Sequence, residues 1–324
     1  MTERKTFVYF FQTAILLILL AFCIIISTGN FSYAAVDGAK LFFACVFPAM
    51  FPYSFLVTLT SSLSVTPIIS LKFSPLTKRI FNTGGITAYA LFISLISGYP
   101  MGSKIVSDLR KNRLIGEEEA ARAATFCSTP SPAFLIGGIG AVTFGSAAFG
   151  AYIYLCNILS NFICGFIFSF YKRKVRPTIR TENPTSKKTE NILYNGAYSA
   201  AISSLIVGAL IVIFYILSEI IFSFSVTKFF VSFLGEKIGY FNASGILKGI
   251  LECTNGLKTL SEGGISFFTL PISAALSGFG GLSVLCQSAA FIKSAKIKIA
   301  PFFLSKIIGA ILSFFFGIIF SFLL

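Results

Sequence analysis

Apolar residues run along this chain in long blocks, with neither the period-two alternation of a half-buried strand nor the narrow stripe of a surface helix. Four blocks, Val8–Ser27, Ala147–Phe170, Ala201–Phe224 and Pro301–Leu324, reach the roughly 20 apolar residues a helix needs to cross a bilayer. Others are interrupted by Pro, Gly or a charge: Leu41–Leu63, Gly84–Ser97, Ala123–Phe144, Ile246–Leu260 and Phe267–Ile292. The pattern predicts an all-α, polytopic membrane protein with several broken spans. Backbone groups freed at a break cannot face lipid and must be buried in protein or line a wet cavity, so the breaks are where a site is expected.

Composition supports the membrane reading. The 324 residues are 55% hydrophobic and 12% charged, with a mean hydropathy of +0.85, against about 25% charged in a soluble domain. The lipid bilayer is therefore the first expected partner. A net charge of +14 invites a nucleic-acid reading, but Lys172, Arg173, Lys174, Arg176, Arg180, Lys187 and Lys188 are concentrated in one polar stretch, 171–191. Loops rich in Lys and Arg stay cytoplasmic. No nucleic-acid motif or aromatic interleaving accompanies the charge, so no nucleic-acid partner is expected. The stretch reads as a cytoplasmic linker between two membrane halves, 34–170 and 192–324, after an N-terminal span within 1–33.

Arg4 and Lys5, the apolar run and Ser32-Tyr33-Ala34-Ala35 together resemble a secretory signal, but the run is longer than a signal core and a retained span is expected. With Arg4 and Lys5 inside, the clusters Lys72, Lys78, Arg79 and Arg110, Lys111, Arg113 also fall inside, provided that 84–114 is re-entrant or crosses an even number of times. The lysines of the second half are scattered and fix no topology. Self-association into a homo-oligomer is neither required nor excluded.

Enzyme chemistry is not expected. The chain has no His and no CxxC pair among its seven cysteines, so Ser–His or Cys–His catalysis, zinc sites and a disulfide framework have no support. No phosphate loop occurs. No cofactor and no metal are expected.

The most informative pattern is a string that occurs twice: Ile96-Ser97-Gly98-Tyr99-Pro100-Met101-Gly102-Ser103 and Leu276-Ser277-Gly278-Phe279-Gly280-Gly281-Leu282-Ser283. Gly and Pro between apolar half-helices, at corresponding places in two halves, mark the binding site of transporters built as inverted repeats. After the first break, Ser103 is placed to cap a helix whose polar stripe is Lys104, Asp108 and Lys111, and a helix N-terminus beside Lys104 would attract an anion. The alternative is an interfacial amphipathic helix with a Lys104–Asp108 pair. Ser128, Thr129 and Ser131, among Pro130 and Pro132, are candidates to line a pocket or to satisfy a proline kink. After the second break, Ser283 and Gln287 share a helix face. Thr254 and Asn255 sit in another interruption, where Lys248, Glu252 and Asn255 are spaced as one stripe. Glu252 and Asp108 are candidates for ion coupling, with Glu252 alternatively the partner of Lys248.

These residues also carry a resemblance. The strings Ser97–Lys104 with Asp108-Leu109, Glu118-Glu119-Ala120, Phe126–Pro132, Leu251–Leu257 and Gly278–Ser283 with Gln287 resemble the sporulation integral membrane protein family YlbJ/SpoVV, of the nucleoside-recognition (Gate) domain group, over about residues 38–324. The resemblance implies a transporter of endospore-forming bacteria that passes dipicolinate, a small aromatic dianion, across the outer forespore membrane. The group name also implies a nucleoside as substrate. A third reading is a membrane scaffold of spore assembly that transports nothing.

Overall fold

The computed structural model describes residues 28–62, 65–174 and 191–323. The expected span Val8–Ser27 and most of the basic linker lie outside the described residues.

Seven elements follow one another twice. The first set opens with a long helix, α1 (Thr28–Leu41), which widens through a π turn at Phe42–Val46 and continues as α2 (Phe47–Ser62). Next come α3 (Val65–Leu76), with a π turn at Thr77–Phe81, then α4 (Ile86–Ser97), α5 (Met101–Lys111), α6 (Glu117–Phe126), a π-helix (Ala133–Thr143) and α7 (Ala147–Phe168). The second set is α8 (Ile192–Ser223), α9 (Ser225–Ile238), α10 (Tyr240–Leu251), α11 (Cys253–Glu262), α12 (Thr269–Phe279), α13 (Gly281–Ser294) and α14 (Ala300–Ser321). The last five elements are 12, 11, 10, 11 and 22 residues long in the first set and 12, 10, 11, 14 and 22 in the second.

The repeats are inverted. Matched helices cross antiparallel, at matched positions. Along α7 and α14, Tyr152 stacks near Phe320, Ser160 bonds Ser313 at 3.0 Å, and Cys164 donates to the Ser305 carbonyl. Ser160 and Ser313 are each the fourteenth residue of their helix, so the local two-fold axis passes between the two hydroxyls. The long first helices repeat the arrangement, with Gly38 against Tyr215, Phe42 against Gly208 and Phe55 against Gly196.

Among the described residues, five helices are long and apolar enough to cross a membrane: Ser32–Leu56, Ala147–Phe168, Ile192–Ser223, Thr269–Ser294 and Ala300–Ser321. A sixth candidate, Ile69–Phe81 with Ile86–Ser97, is bent by 91°. The expected span Leu41–Leu63 thus moves toward the N-terminus, because Ser32-Tyr33-Ala34-Ala35 lies inside a helix. Ala123–Phe144 is not one span, since Pro130 and Pro132 lack the amide protons a helix needs and the chain is extended there. Ile246–Leu260 is not one span either. It folds back as the antiparallel hairpin α10–α11, with Gly245 and Gly249 packed against Gly256 and Leu260. Thr269–Ser294, expected as a re-entrant break, instead runs on past Gly280 as one span.

Candidate functional site

The four breaks meet. They are Gly98–Pro100, the stretch 127–132, Glu252 and Gly280. By element order the first matches Glu252 and the second matches Gly280, so the two similar strings in the sequence are not structural equivalents. Within each repeat the breaks touch: a Cβ on Gly98 would stand 2.7 Å from the Ser131 amide nitrogen, and one on Gly281 would stand 2.9 Å from that of Cys253. Both glycines have positive φ, 80° and 72°, so an L side chain there is strained as well as crowded. Tyr99 joins the two pairs. Its hydroxyl donates to the Ser277 carbonyl at 3.4 Å, and its ring edge lies beside Gly280.

Between the breaks lies a narrow cavity of about 40 Å³. Ser97, Gly98, Tyr99 and Ser131 of the first repeat face Glu252, Thr254 and Gln287 of the second across it. Val46, Met50, Phe134, Val207 and Ile211 supply apolar wall. Glu252 is 1% exposed and caps α11: one carboxylate oxygen accepts from the Asn255 amide at 2.7 Å, the other from the Thr254 hydroxyl at 3.1 Å. A carboxylate is well placed at a helix N-terminus, where unpaired N–H groups point outward. Gln287 donates to Ser283 Oγ at 3.2 Å, while its carbonyl oxygen is buried and unpartnered. Ser131 does not cross the cavity with its hydroxyl, which accepts from the Phe134 amide.

A second, more polar cavity, small at about 20 Å³, lies beside Gly278. Ser128, Thr129, Asn157, Ser160 and Lys306 are among its lining residues. Lys306, in the second turn of α14, is 4% exposed. Its ammonium donates to the Ser128 carbonyl and lies 5.5 Å from the centre of the Tyr99 ring. The sequence reading passed over this residue. The available signal was a lone charge inside the apolar run Pro301–Leu324, which by itself marks function in a membrane.

Other expectations fall elsewhere. Lys104 is half-buried and Asp108 exposed, on the outer face of α5, and neither lines a cavity. Ser103 does not cap α5, which begins at Met101 after Pro100; its hydroxyl is buried and unpartnered. Gly102 is there to admit the Cys127 carbonyl, which a Cβ would overlap. Lys248, Glu252 and Asn255 do not form one stripe, because the helix ends at Leu251. Lys248 pairs with Glu219 at 2.6 Å, not with Glu252. Asn255 reaches Glu219 and Ser218, at 3.0 and 3.1 Å, in an open charged vestibule below the hairpin. Ser277 accepts from Asn157 at 2.9 Å, and Phe279 packs against the core formed by α4 to α6. Glu119 and Arg122 are structural: Glu119 accepts from the Gly84 amide, and Arg122 donates to the carbonyls of Asn82, Tyr171 and Lys172.

Inverted repeats, antiparallel matched helices and crossed helix breaks around a buried cavity define the chain as an all-α, polytopic integral membrane protein. Over 303 residues it is 24% identical to the sporulation integral membrane protein YlbJ of Bacillus subtilis (strain 168), a match covering 86% of this chain and 74% of that one. That similarity, over most of both chains, supports a place beside YlbJ among sporulation integral membrane proteins. No protein-family model matches it, and no solved structure does.

Proposed function

We propose that this chain is a non-enzymatic transporter acting in sporulation, and that it moves a small organic anion, dipicolinate, through the cavity where the breaks cross. The observation that carries this reading is the convergence of four helix breaks, from both inverted repeats, on one cavity whose mostly apolar wall holds a few polar groups. Alternating access needs a site shared by two halves that can rock against each other, and unwound backbone is tolerated in a membrane only where it lines such a site. The Gln287 amide keeps one proton for a carboxylate after its bond to Ser283, and Tyr99 and Phe134 offer flat faces to an aromatic ring. The relative's name supplies the process; the outer forespore membrane follows from the family resemblance.

A dianion beside the Glu252 carboxylate is repelled unless that carboxyl carries a proton. Uptake is therefore proposed to be coupled to protons through Glu252, and to rise as the loading side is acidified. The test is flux of labelled dipicolinate into proteoliposomes holding the full chain, with and without a pH gradient. Flux above that of empty liposomes, stimulated by an acidic loading side, supports the reading. Flux no greater than that of empty liposomes overturns it in favour of a scaffold, and suppression by unlabelled nucleosides moves the substrate to that class.

A further inference from the structure

We infer that the second cavity is a dedicated site for one compact monoanion, a halide or a single carboxylate, held by Lys306, Ser128 and Thr129. The argument is an accounting of donors and acceptors. Asn157 donates to the Ile153 carbonyl and to Ser277 Oγ, both at 2.9 Å; Asn161 donates to the Phe126 carbonyl; Thr125 donates to the Arg122 carbonyl. Ser160 donates to the Cys156 carbonyl, Ser305 to the Phe302 carbonyl, and Ser313 to Ser160. What remains is a pair of acceptors, the Asn157 and Asn161 amide oxygens, and a larger unmatched donor capacity. The hydroxyls of Ser128 and Thr129, residues only 2% exposed, line the cavity without a partner. The Lys306 ammonium has three protons and spends one on the Ser128 carbonyl.

Lys306 is also a cation without a counter-ion. Among the described residues, no carboxylate stands within 4.0 Å of it. Taking an ammonium out of water is expensive unless it is paired, and the Tyr99 and Phe302 rings at 5.5 and 5.9 Å are weak substitutes for an anion. The inverted repeat sharpens the point: the residue of α7 that matches Lys306, the seventh of its helix, is the apolar Ile153. The charge therefore breaks the symmetry of the fold and is not required by it. An anion seated there would complete two orphaned hydroxyls and the ammonium together. The lysine sits beside Tyr99, so occupancy would also be felt at the crossing of the breaks.

The inference does not depend on transport, because binding is read on the purified full chain in detergent. Thermal unfolding is followed while chloride, and separately acetate, replaces gluconate at constant ionic strength. The expected result is a saturable rise in unfolding temperature with at least one of the two. The rise is abolished in Lys306→Met and kept in Lys104→Met. If Lys306→Met does not fold, the pair Ser128→Ala with Thr129→Val is read instead and weakens binding about tenfold. No saturable rise with either anion, or an undiminished rise in these variants, overturns the site. Adding dipicolinate separates the two sources of the anion. Loss of the chloride response assigns the site to a carboxylate of the larger ligand, and an unchanged response assigns it to a resident inorganic ion.

Discussion

Glu252 shows how one side chain can hold structure and chemistry together. Its carboxylate caps α11 through the Asn255 amide and at the same time faces the cavity. Glu252→Gln keeps an acceptor for the cap and loses the titrating group. This variant is expected to insert and fold normally and to retain dipicolinate flux that no longer responds to a pH gradient. Glu252→Ala also removes the cap and is expected to lose about 1 kcal/mol of stability; an equal loss in Gln and Ala variants would show that the cap is not what Glu252 supplies. Gly102 is the steric counterpart. Its Cβ position is already filled by the Cys127 carbonyl, and backbone cannot swing aside as a flexible side chain can. Gly102→Ala is expected to cost several kcal/mol, seen as a marked drop in the yield of folded protein from detergent. The polar residues around the first cavity were legible in sequence, because Gly, Pro and polar side chains stand out in apolar runs, whereas its apolar wall was not. Lys306 was not: a charge without a motif carries no partner with it, and only folding shows that its neighbours are Ser128 and Tyr99. Lys104 misled for the opposite reason, since adjacency to a break in sequence does not place a side chain on the cavity side of its helix.

At the scale of elements, the sequence showed that the spans are broken but paired the breaks wrongly. The strings at Ser97–Ser103 and Ser277–Ser283 look alike because Gly and Ser suit any crowded turn, whereas equivalence is set by order: each repeat runs through a folded pair, a second interrupted pair and a long span. The break that matches Gly98–Pro100 contains no Gly or Pro, only Glu252, whose side chain replaces the interrupted backbone bonds by capping the next helix. Hairpin α10–α11 depends on small residues in register, since Gly249 and Gly256 meet backbone to backbone. The inverted pairing of α7 and α14 can be tested at its axis. In a chain otherwise free of cysteine, Ser160→Cys with Ser313→Cys is expected to form a disulfide on mild oxidation, because the two hydroxyl oxygens are 3.0 Å apart. Ser160→Cys with Phe320→Cys, more than a turn along the antiparallel partner, is the control and should not. Cross-linking of the control pair alone would require a different register.

For the whole molecule, the repeat settles what the scattered lysines could not. Four segments gather at one end of the bundle: Lys172 bonds Glu118 at 2.8 Å, Lys298 reaches Glu117 at 4.0 Å, and Arg122 holds the carbonyls of Asn82 and Tyr171. Lys72, Lys78, Arg79, Lys172, Arg173, Lys174, Lys293, Lys296 and Lys298 flank these segments in the chain, and short loops rich in Lys and Arg remain cytoplasmic. Outside the spans, the hydrogen bond with Lys172 holds the Glu118 carboxyl below the usual range, so this end keeps its ion pair at neutral pH. The other end carries Ser321, which bonds the Phe267 carbonyl, and the vestibule of Tyr33, Asp37, Lys228 and Glu262. Because α14 runs from Lys298 to that far end, residue 323 is expected outside the cytoplasm, although the loop 295–299 before it is inside. The first helix, antiparallel to α8, then starts outside at Thr28. Alkaline phosphatase fused after residue 323 is expected to be active and a fusion at 296 inactive, and a thiol-reactive, membrane-impermeant label should reach Lys228→Cys but not Lys298→Cys in intact cells. The vestibule would then be the outer mouth of the cavity, with Asn255 between its Glu219–Lys248 pair and the Glu252 cap. An active fusion at 296 together with a silent one at 323 would invert this topology, and with it the side from which the cavity is loaded.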